Sequence, residues 1–170
     1  VARVVSKDES RAILTGVLIT LEGATLKMVA TDSYRLAITE AQLDEPAAEG
    51  FQAVIAGSFL QELASLNRTD DPLTIALAEN QIVVTYHDTV FINRRIEGNF
   101  PNYRQLLPDS YNTRVQLNVS HLVSGVKRTS ILGQQSSPVK FAIDVDSQTV
   151  QLSAAAQDVG SAQETLTCQG

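Results

Sequence analysis

Val17-Leu18-Ile19-Thr20-Leu21, then Glu22-Gly23-Ala24, then Thr25-Leu26-Lys27-Met28 reads as two short strands joined by a tight turn. Apolar residues recur at every second position, the period of a half-buried strand, and the glycine-bearing triplet between them supplies the turn. The pattern returns twice. Leu73-Thr74-Ile75-Ala76-Leu77 turns near Glu79-Asn80 into Gln81-Ile82-Val83-Val84. Phe141-Ala142-Ile143-Asp144-Val145 turns at Asp146-Ser147-Gln148 into Thr149-Val150-Gln151-Leu152. The alternation predicts that Ile19 and Leu21, Ile75 and Leu77, and Ile143 and Val145 occupy equivalent faces.

The spacing is regular. Leu21 and Leu77 are 56 residues apart, and the first and third hairpins superpose without a gap at an offset of 124. A second element repeats with them. Ala53-Val54-Ile55 leads through Gly57 to Ser58, and Val115-Gln116-Leu117 leads through Val119 to Ser120, each before a helical pattern. Either serine is placed to cap a helix, and Ser58 with Gln61 fits a capping box. The unit is thus a strand, a Ser-capped helix and a hairpin with further strands, about sixty residues long, and such fixed-period self-similarity predicts a modular α+β architecture. Of the helix expected before the first hairpin only a short stub, Val1-Ala2-Arg3-Val4-Val5, is present, and the third copy stops soon after its hairpin. The chain begins and ends inside units, so a piece of a longer protein is expected.

Composition narrows the function classes. The 170 residues are 44% hydrophobic and 19% charged, ordinary for a globular protein. No apolar run is long enough to span a bilayer, no signal-peptide pattern is present, and a cytoplasmic location is expected. The single cysteine, Cys168, excludes an internal disulfide. Two sequons, at Asn67 and Asn118, read as chance matches. The net charge of −6 argues against a protein that grips nucleic acid by phosphate neutralisation. It does not exclude a protein that stays on nucleic acid without a tight electrostatic grip. No phosphate-loop, dinucleotide-binding, nucleophile-elbow or zinc-protease motif is present, so no catalytic residue, metal site or cofactor is expected. Asp144 and Asp146 read as a solvated hairpin edge, His87 as a turn residue beside Asp88, and His121 as a surface residue of a first helical turn.

Two further stretches carry a resemblance. Ala30-Thr31-Asp32-Ser33-Tyr34-Arg35-Leu36-Ala37 and Ile96-Glu97-Gly98-Asn99-Phe100-Pro101-Asn102-Tyr103-Arg104, continuing to Leu106-Leu107-Pro108, closely resemble signature segments of the bacterial DNA polymerase III beta subunit family, the replicative sliding clamps. Lys7-Asp8-Glu9-Ser10-Arg11 and Ile13-Leu14-Thr15-Gly16-Val17-Leu18 match as well. The resemblance covers the whole chain. Residues 1–108 look like the central clamp domain without its first strand and most of its first helix, with the linker to the next domain. Residues 109–170 look like the first half of the third domain. It implies a DNA-clamp fold: repeated strand–helix–strands units, with helices on one face of curved antiparallel sheets. It implies a head-to-tail homodimeric ring around duplex DNA, a non-catalytic processivity factor in DNA replication. It also implies partners: the replicative polymerase catalytic subunit, the clamp loader, and other polymerases and repair proteins that carry a clamp-binding motif.

The resemblance assigns residues. Leu14, Thr31, Ser33, Tyr34, Arg35 and Leu36 match the central-domain wall of the family's peptide pocket, and Pro101, Gln105 and Leu106 match the wall beside the linker. The peptide typically carries a glutamine followed by spaced leucines and a phenylalanine. Leu14, Leu36, Pro101 and Leu106 are expected as the apolar floor, with Tyr34 and Arg35 on the rim. Many relatives have Gly-His where this chain has Ser33-Tyr34, and a basic residue in place of Gln105. The far wall of the family pocket has no counterpart here. Arg3, Lys7, Ser10, Arg11, Lys127 and Arg128 match DNA-facing positions, Lys7 to Arg11 in a loop and Arg3, Lys127 and Arg128 on inner helices. The helix after Ser58 carries Gln61, Glu62, Ser65 and Asn67 on its polar side, with Arg68 after it, so its contribution to a basic lining is thin. Read alone, Asp32 and Arg35 would be a local turn-fixing pair; within the motif they read as a binding wall. Phe100 and Tyr103 read as core or linker anchors rather than base-stacking platforms. A repeat-built interaction scaffold that never encircles DNA is the alternative, and an enzyme with a spatially assembled site is a more distant one.

Overall fold

The computed structural model describes residues 1–67, 69, 71–131, 138–156 and 160–169. The chain divides into two compact units, Val1–Leu107 and Pro108–Gly170. In the first unit, β1 (Gly16–Glu22), β2 (Thr25–Thr31), β3 (Leu36–Gln42) and β4 (Phe51–Ala56) form an antiparallel sheet in the order β3-β2-β1-β4. Glu22 pairs with Thr25 in register, so the first hairpin turns on Gly23 and Ala24. Gly23 has φ +58, a conformation that glycine adopts at no steric cost. Alternation then decides the two faces. Val17 and Ile19 of β1 and Ala53 and Ile55 of β4 share one core with Phe59, Ile82 and Val84. Leu18 and Val54, one residue on, join Val29 and Tyr103 in a second core on the other face. A strand covered on both faces reads as a continuous apolar run, which is why Val17-Leu18-Ile19 shows no polar position.

The helix α1 (Gly57–Ser65) follows β4 directly. Its N-cap is Ala56 with no side-chain cap, so neither the Ser58 cap nor the capping box forms. The helix starts two residues earlier than the serine reading required, and the Gln61 amide donates instead to the Ala2 carbonyl at 2.9 Å. Gly57 sets that start: a Cβ there would lie 2.7 Å from Val5 Cγ2, so only glycine lets the N-terminal segment pack this closely. Arg68 lies outside the described residues. The second sheet, β5 (Thr74–Leu77), β6 (Gln81–Tyr86) and β7 (Thr89–Arg94), has the order β5-β6-β7. His87, at φ +51, makes the β6–β7 turn. A bridge between Ile55 and Arg95 and a bond from Ile96 N–H to the Val54 carbonyl at 2.8 Å tie the end of β7 to β4.

In the second unit, α2 (Val119–Ser130) packs on a sheet of β8 (Lys140–Asp144), β9 (Thr149–Ala156) and β10 (Gly160–Thr167), ordered β10-β9-β8. Leu122 and Val126 rest on Val150, Leu152, Leu166 and Cys168. Gly125 lets the helix lie close to the sheet: a Cβ there would fall 2.9 Å from Leu152 Cδ1 and push that side chain aside. Ser120 is not the cap of this helix. Asn118 Oδ1 accepts from the backbone N–H of Ser120 at 3.0 Å and of His121 at 3.2 Å, and Ser120 Oγ itself donates to Asn118. Val115–Leu117 forms no strand; a single bridge joins Gln116 to Gln169. Asp144 Oδ1 accepts from Ser147 N–H at 3.1 Å and closes the β8–β9 turn. Among the described residues no group of three His, Cys, Asp or Glu could hold a metal ion.

The three hairpins form where the sequence places them, but their equivalent faces are not equally covered. Ile19 and Leu21 are buried, whereas Ile75 is exposed and Ile143 is 47% exposed. Each sheet explains the difference. β1 is flanked by β2 and β4, while β5 and β8 are edge strands.

Candidate peptide-binding wall and basic face

Thr31 ends β2 and pairs in register with Leu36, the first residue of β3, so residues 32–35 make the connection. Side chains close this turn. Asp32 Oδ1 accepts from the backbone N–H of Tyr34 and of Arg35, both at 3.0 Å. The Arg35 side chain returns to the same carboxylate, Nε donating to Oδ2 at 3.0 Å. Thr31 Oγ1 donates to the Arg35 carbonyl at 2.8 Å and accepts from Ser33 N–H at 3.1 Å. Desolvation works against the Asp32 charge, but the Arg35 and Tyr34 amides and the Arg35 guanidinium outweigh it and hold the carboxyl below its ordinary pKa. The local pair thus exists, and it presents the motif. Tyr34 is 96% exposed at the tip, and Ser33 is held at φ +78. That left-handed conformation favours glycine, so a serine there needs support from its neighbours.

The linker-side residues are placed by an aromatic anchor. Tyr103 is buried with Leu18, Val29 and Val54, and Phe100, Ile96, Ile13 and Leu36 pack around that cluster. The short 3₁₀ turn Tyr103–Leu106 then points Gln105 and Leu106 outward, with Leu106 64% exposed. The fold therefore brings Leu36 into one cluster with Phe100 and Tyr103, and leaves Pro101, Gln105 and Leu106 exposed after them. Leu14 differs from the expected floor. It is only 5% exposed, and its backbone carbonyl accepts from Ser6 N–H at 2.8 Å, so it offers a ligand little surface.

Two clefts flank Phe100. One, about 260 Å³, is bounded by Lys27, Glu22, Pro101, Tyr103 and Arg104; the other, about 400 Å³, by Arg95, Glu79, Gln52, Ile96 and Phe100. Of the expected wall, only Pro101 lines either. Lys27, in register with Glu40, pairs with it at 2.7 Å.

Of the residues assigned to DNA, Arg3, Lys7, Ser10 and Arg11 are all exposed in the first unit. Their surroundings are not purely basic. Asp8 accepts from the Ser10 hydroxyl at 2.6 Å and the Ser10 amide at 3.0 Å, and pairs with Arg11 Nε at 3.4 Å. The Ser10 hydroxyl, then its amide, hold the Asp8 carboxyl below its ordinary pKa, with Arg11 adding to the same effect. Arg11 also reaches out of its own segment: Nη1 donates to Ser33 Oγ at 2.8 Å. No sequence signal pointed to that bond, because the residues lie 22 apart and belong to different motifs. In the second unit Lys127 is exposed, while Arg128 forks onto Glu164, Nε to Oε2 at 3.0 Å and Nη2 to Oε1. Glu164 raises the Arg128 pKa, and Arg128 lowers that of Glu164.

Known proteins share this architecture and sequence. The family model described as the DNA polymerase III beta subunit, central domain, matches residues 1–102. The beta sliding clamp of Synechococcus elongatus is 31% identical over 167 residues, covering 95% of this chain and 44% of that protein. The beta sliding clamp of Bacillus subtilis is 30% identical over 165 residues, covering 95% and 43%. The crystal structure of the DNA polymerase sliding clamp from Bacillus subtilis superposes with a TM-score of 0.88 at 28% identity, over 98% of this chain and 44% of that one. The chain thus spans less than half the length of the curated relatives it matches. The fold is that of the beta clamps, and because the family model matches more than half of the chain, the chain belongs to the DNA polymerase III beta subunit family.

Proposed function

We propose that this chain is part of a DNA sliding clamp: a homodimeric ring that encircles duplex DNA and tethers the replicative polymerase and other replication and repair proteins through a peptide pocket. Residues 1–108 correspond to the central domain and its linker, and 109–170 to the first half of the third domain. The observation that carries the reading is the convergence of the Asp32-built turn and the Tyr103-anchored segment. Leu36 of the first motif and Phe100 and Tyr103 of the second meet in one apolar cluster around Leu18, Val29 and Val54, which supports a wall shared by both motifs. The arrangement suits docking and not chemistry. Apolar side chains such as Leu106 stand exposed for spaced hydrophobic anchors, and Tyr34 and Arg35 supply a polar rim. The role is non-catalytic and needs no cofactor. The ring prevents escape from DNA, and the pocket holds the enzyme to the ring. The clamp loader opens and closes it on DNA, and the protein works in the cytoplasm at the nucleoid. A net charge of −6 suits topological rather than electrostatic retention.

The test is loading of the full-length protein by its own clamp loader onto nicked circular DNA, followed by gel filtration before and after one restriction cut. Retention on the circle with release on linearisation is the expected result. Equal retention on both forms would mean ordinary surface binding. No retention with an active loader would favour a scaffold that never encircles DNA.

A further inference from the structure

Arg11 lies in the stretch assigned to DNA and Ser33 in the peptide wall, yet their side chains are bonded to each other. The Arg11 guanidinium spans two anchors, Nε to Asp8 Oδ2 at 3.4 Å and Nη1 to Ser33 Oγ at 2.8 Å. Its backbone, at φ −115 and ψ 65, interrupts the helical course of Glu9–Thr15. On the other side of the bond, Ser33 occupies the left-handed region, where a residue with a Cβ needs external support. Its amide is held by Thr31 Oγ1 and its hydroxyl by Arg11, so two contacts from outside the residue fix the base of the Tyr34 tip. The Arg11 side chain is 46% exposed and open to an anion. A phosphate offers a guanidinium charge-assisted, bidentate bonding that a neutral hydroxyl cannot match.

We propose that Arg11 is a positioning residue of the peptide wall, and that a nucleic-acid phosphate bound at Arg11 takes it from Ser33 and loosens the turn that the peptide docks against. This rests on the clamp reading above. The duplex inside the ring and the peptide outside it then compete through one bond. Reciprocity follows: the peptide weakens phosphate at Arg11 by the same factor that phosphate weakens the peptide.

The test uses the full-length protein and a fluorescein-labelled peptide carrying a glutamine, two spaced leucines and a phenylalanine. Fluorescence polarisation gives Kd with and without a saturating 12-base-pair duplex. Arg11→Ala and Ser33→Ala are each expected to weaken the peptide about fivefold, the low end of ordinary couplings. The double variant should lose about the same fivefold rather than the product, because both changes break one bond. The duplex should weaken the peptide on the wild type and leave Ser33→Ala unaffected, a readout that a merely structural role would not move. Circular dichroism confirms folding, and Ser33→Gly, which relieves the left-handed strain while removing the hydroxyl, should show the same loss of duplex dependence. Additive single effects, or a duplex effect unchanged in Ser33→Ala and Ser33→Gly, would overturn the latch and leave the pocket standing. No peptide binding by the wild type would overturn both.

Discussion

Asp32 and Arg35 are joined twice: Oδ1 accepts the Arg35 backbone N–H and Oδ2 the Arg35 Nε, each at 3.0 Å. One carboxylate thereby fixes both the backbone of the turn and the direction of the side chain that follows it. Asp32→Asn keeps one acceptor and loses the charge. It should loosen the turn by roughly 1 kcal/mol, the scale of a hydrogen-bond loss at a charged group partly screened by water. Faster amide exchange at Tyr34 and Arg35 in the variant, with the rest of β2 and β3 unchanged, is the expected result. The pH dependence has a defined sign. The folded-state pKa of Asp32 is depressed, so its contribution is fully present above the ordinary carboxylate value of about 3.9 and is lost as pH falls through the lower folded value. Turn protection that vanished instead between pH 5 and 8 would assign it to another group.

Asn118, and not Ser120, satisfies the first turn of α2. Asn118→Ala should cost about 1 kcal/mol in urea unfolding, the ordinary value of an N-cap. Ser120→Ala removes only an exposed hydroxyl that donates to Asn118, and should stay within about 0.5 kcal/mol. The reverse ranking would restore the serine as the cap.

These caps show where the sequence stops being legible. The hairpins were readable because period-two apolar positions and turn residues are local, and Glu22 to Thr25 closes where the glycine predicts. Ser58 and Ser120 had the right chemistry, each two residues past the true N-cap, and helix starts are decided by what packs there. Gly57 is forced by Val5, from a segment 52 residues earlier. Burial was also beyond local reading: Ile19 and Ile143 occupy the same phase of the same motif, and only sheet order separates an inner strand from an edge. At the site, the resemblance found both motifs. It did not find that Leu14 is closed off, nor that Arg11 and Ser33 meet, because both facts depend on contacts between segments.

Leu106 and Leu36 belong to the same proposed wall but stand differently in the fold. Leu106 is exposed, so Leu106→Ala should leave unfolding unchanged within about 0.5 kcal/mol. Leu36 packs half-buried against the Tyr103 cluster, so Leu36→Ala should cost about 1–3 kcal/mol as well. Both should weaken the labelled peptide about tenfold, the effect of a hot-spot anchor. Sedimentation should show the ring intact in both. Loss of dimerisation with peptide affinity unchanged would remove these residues from the pocket.

Arg128 was assigned to the DNA face by position, but its charge is already spent on Glu164. The guanidinium is engaged by both carboxylate oxygens, and the mutual pKa shifts, Arg128 raised and Glu164 lowered, come first from that bonding. A compensated charge releases few counterions when DNA approaches, whereas a freed one releases about 0.9 per phosphate contact. Glu164→Gln should therefore strengthen duplex binding at low salt and steepen the slope of log K against log salt by about 0.9. Arg128→Ala should leave that slope nearly unchanged. Lys127, exposed on the same helix, provides the contrast: Lys127→Ala should lower the slope by about the same 0.9 if that face meets phosphate. A lower slope in Arg128→Ala with no change in Glu164→Gln would show that the guanidinium leaves its carboxylate for DNA, and that the ion pair is a resting state rather than a neutralising one.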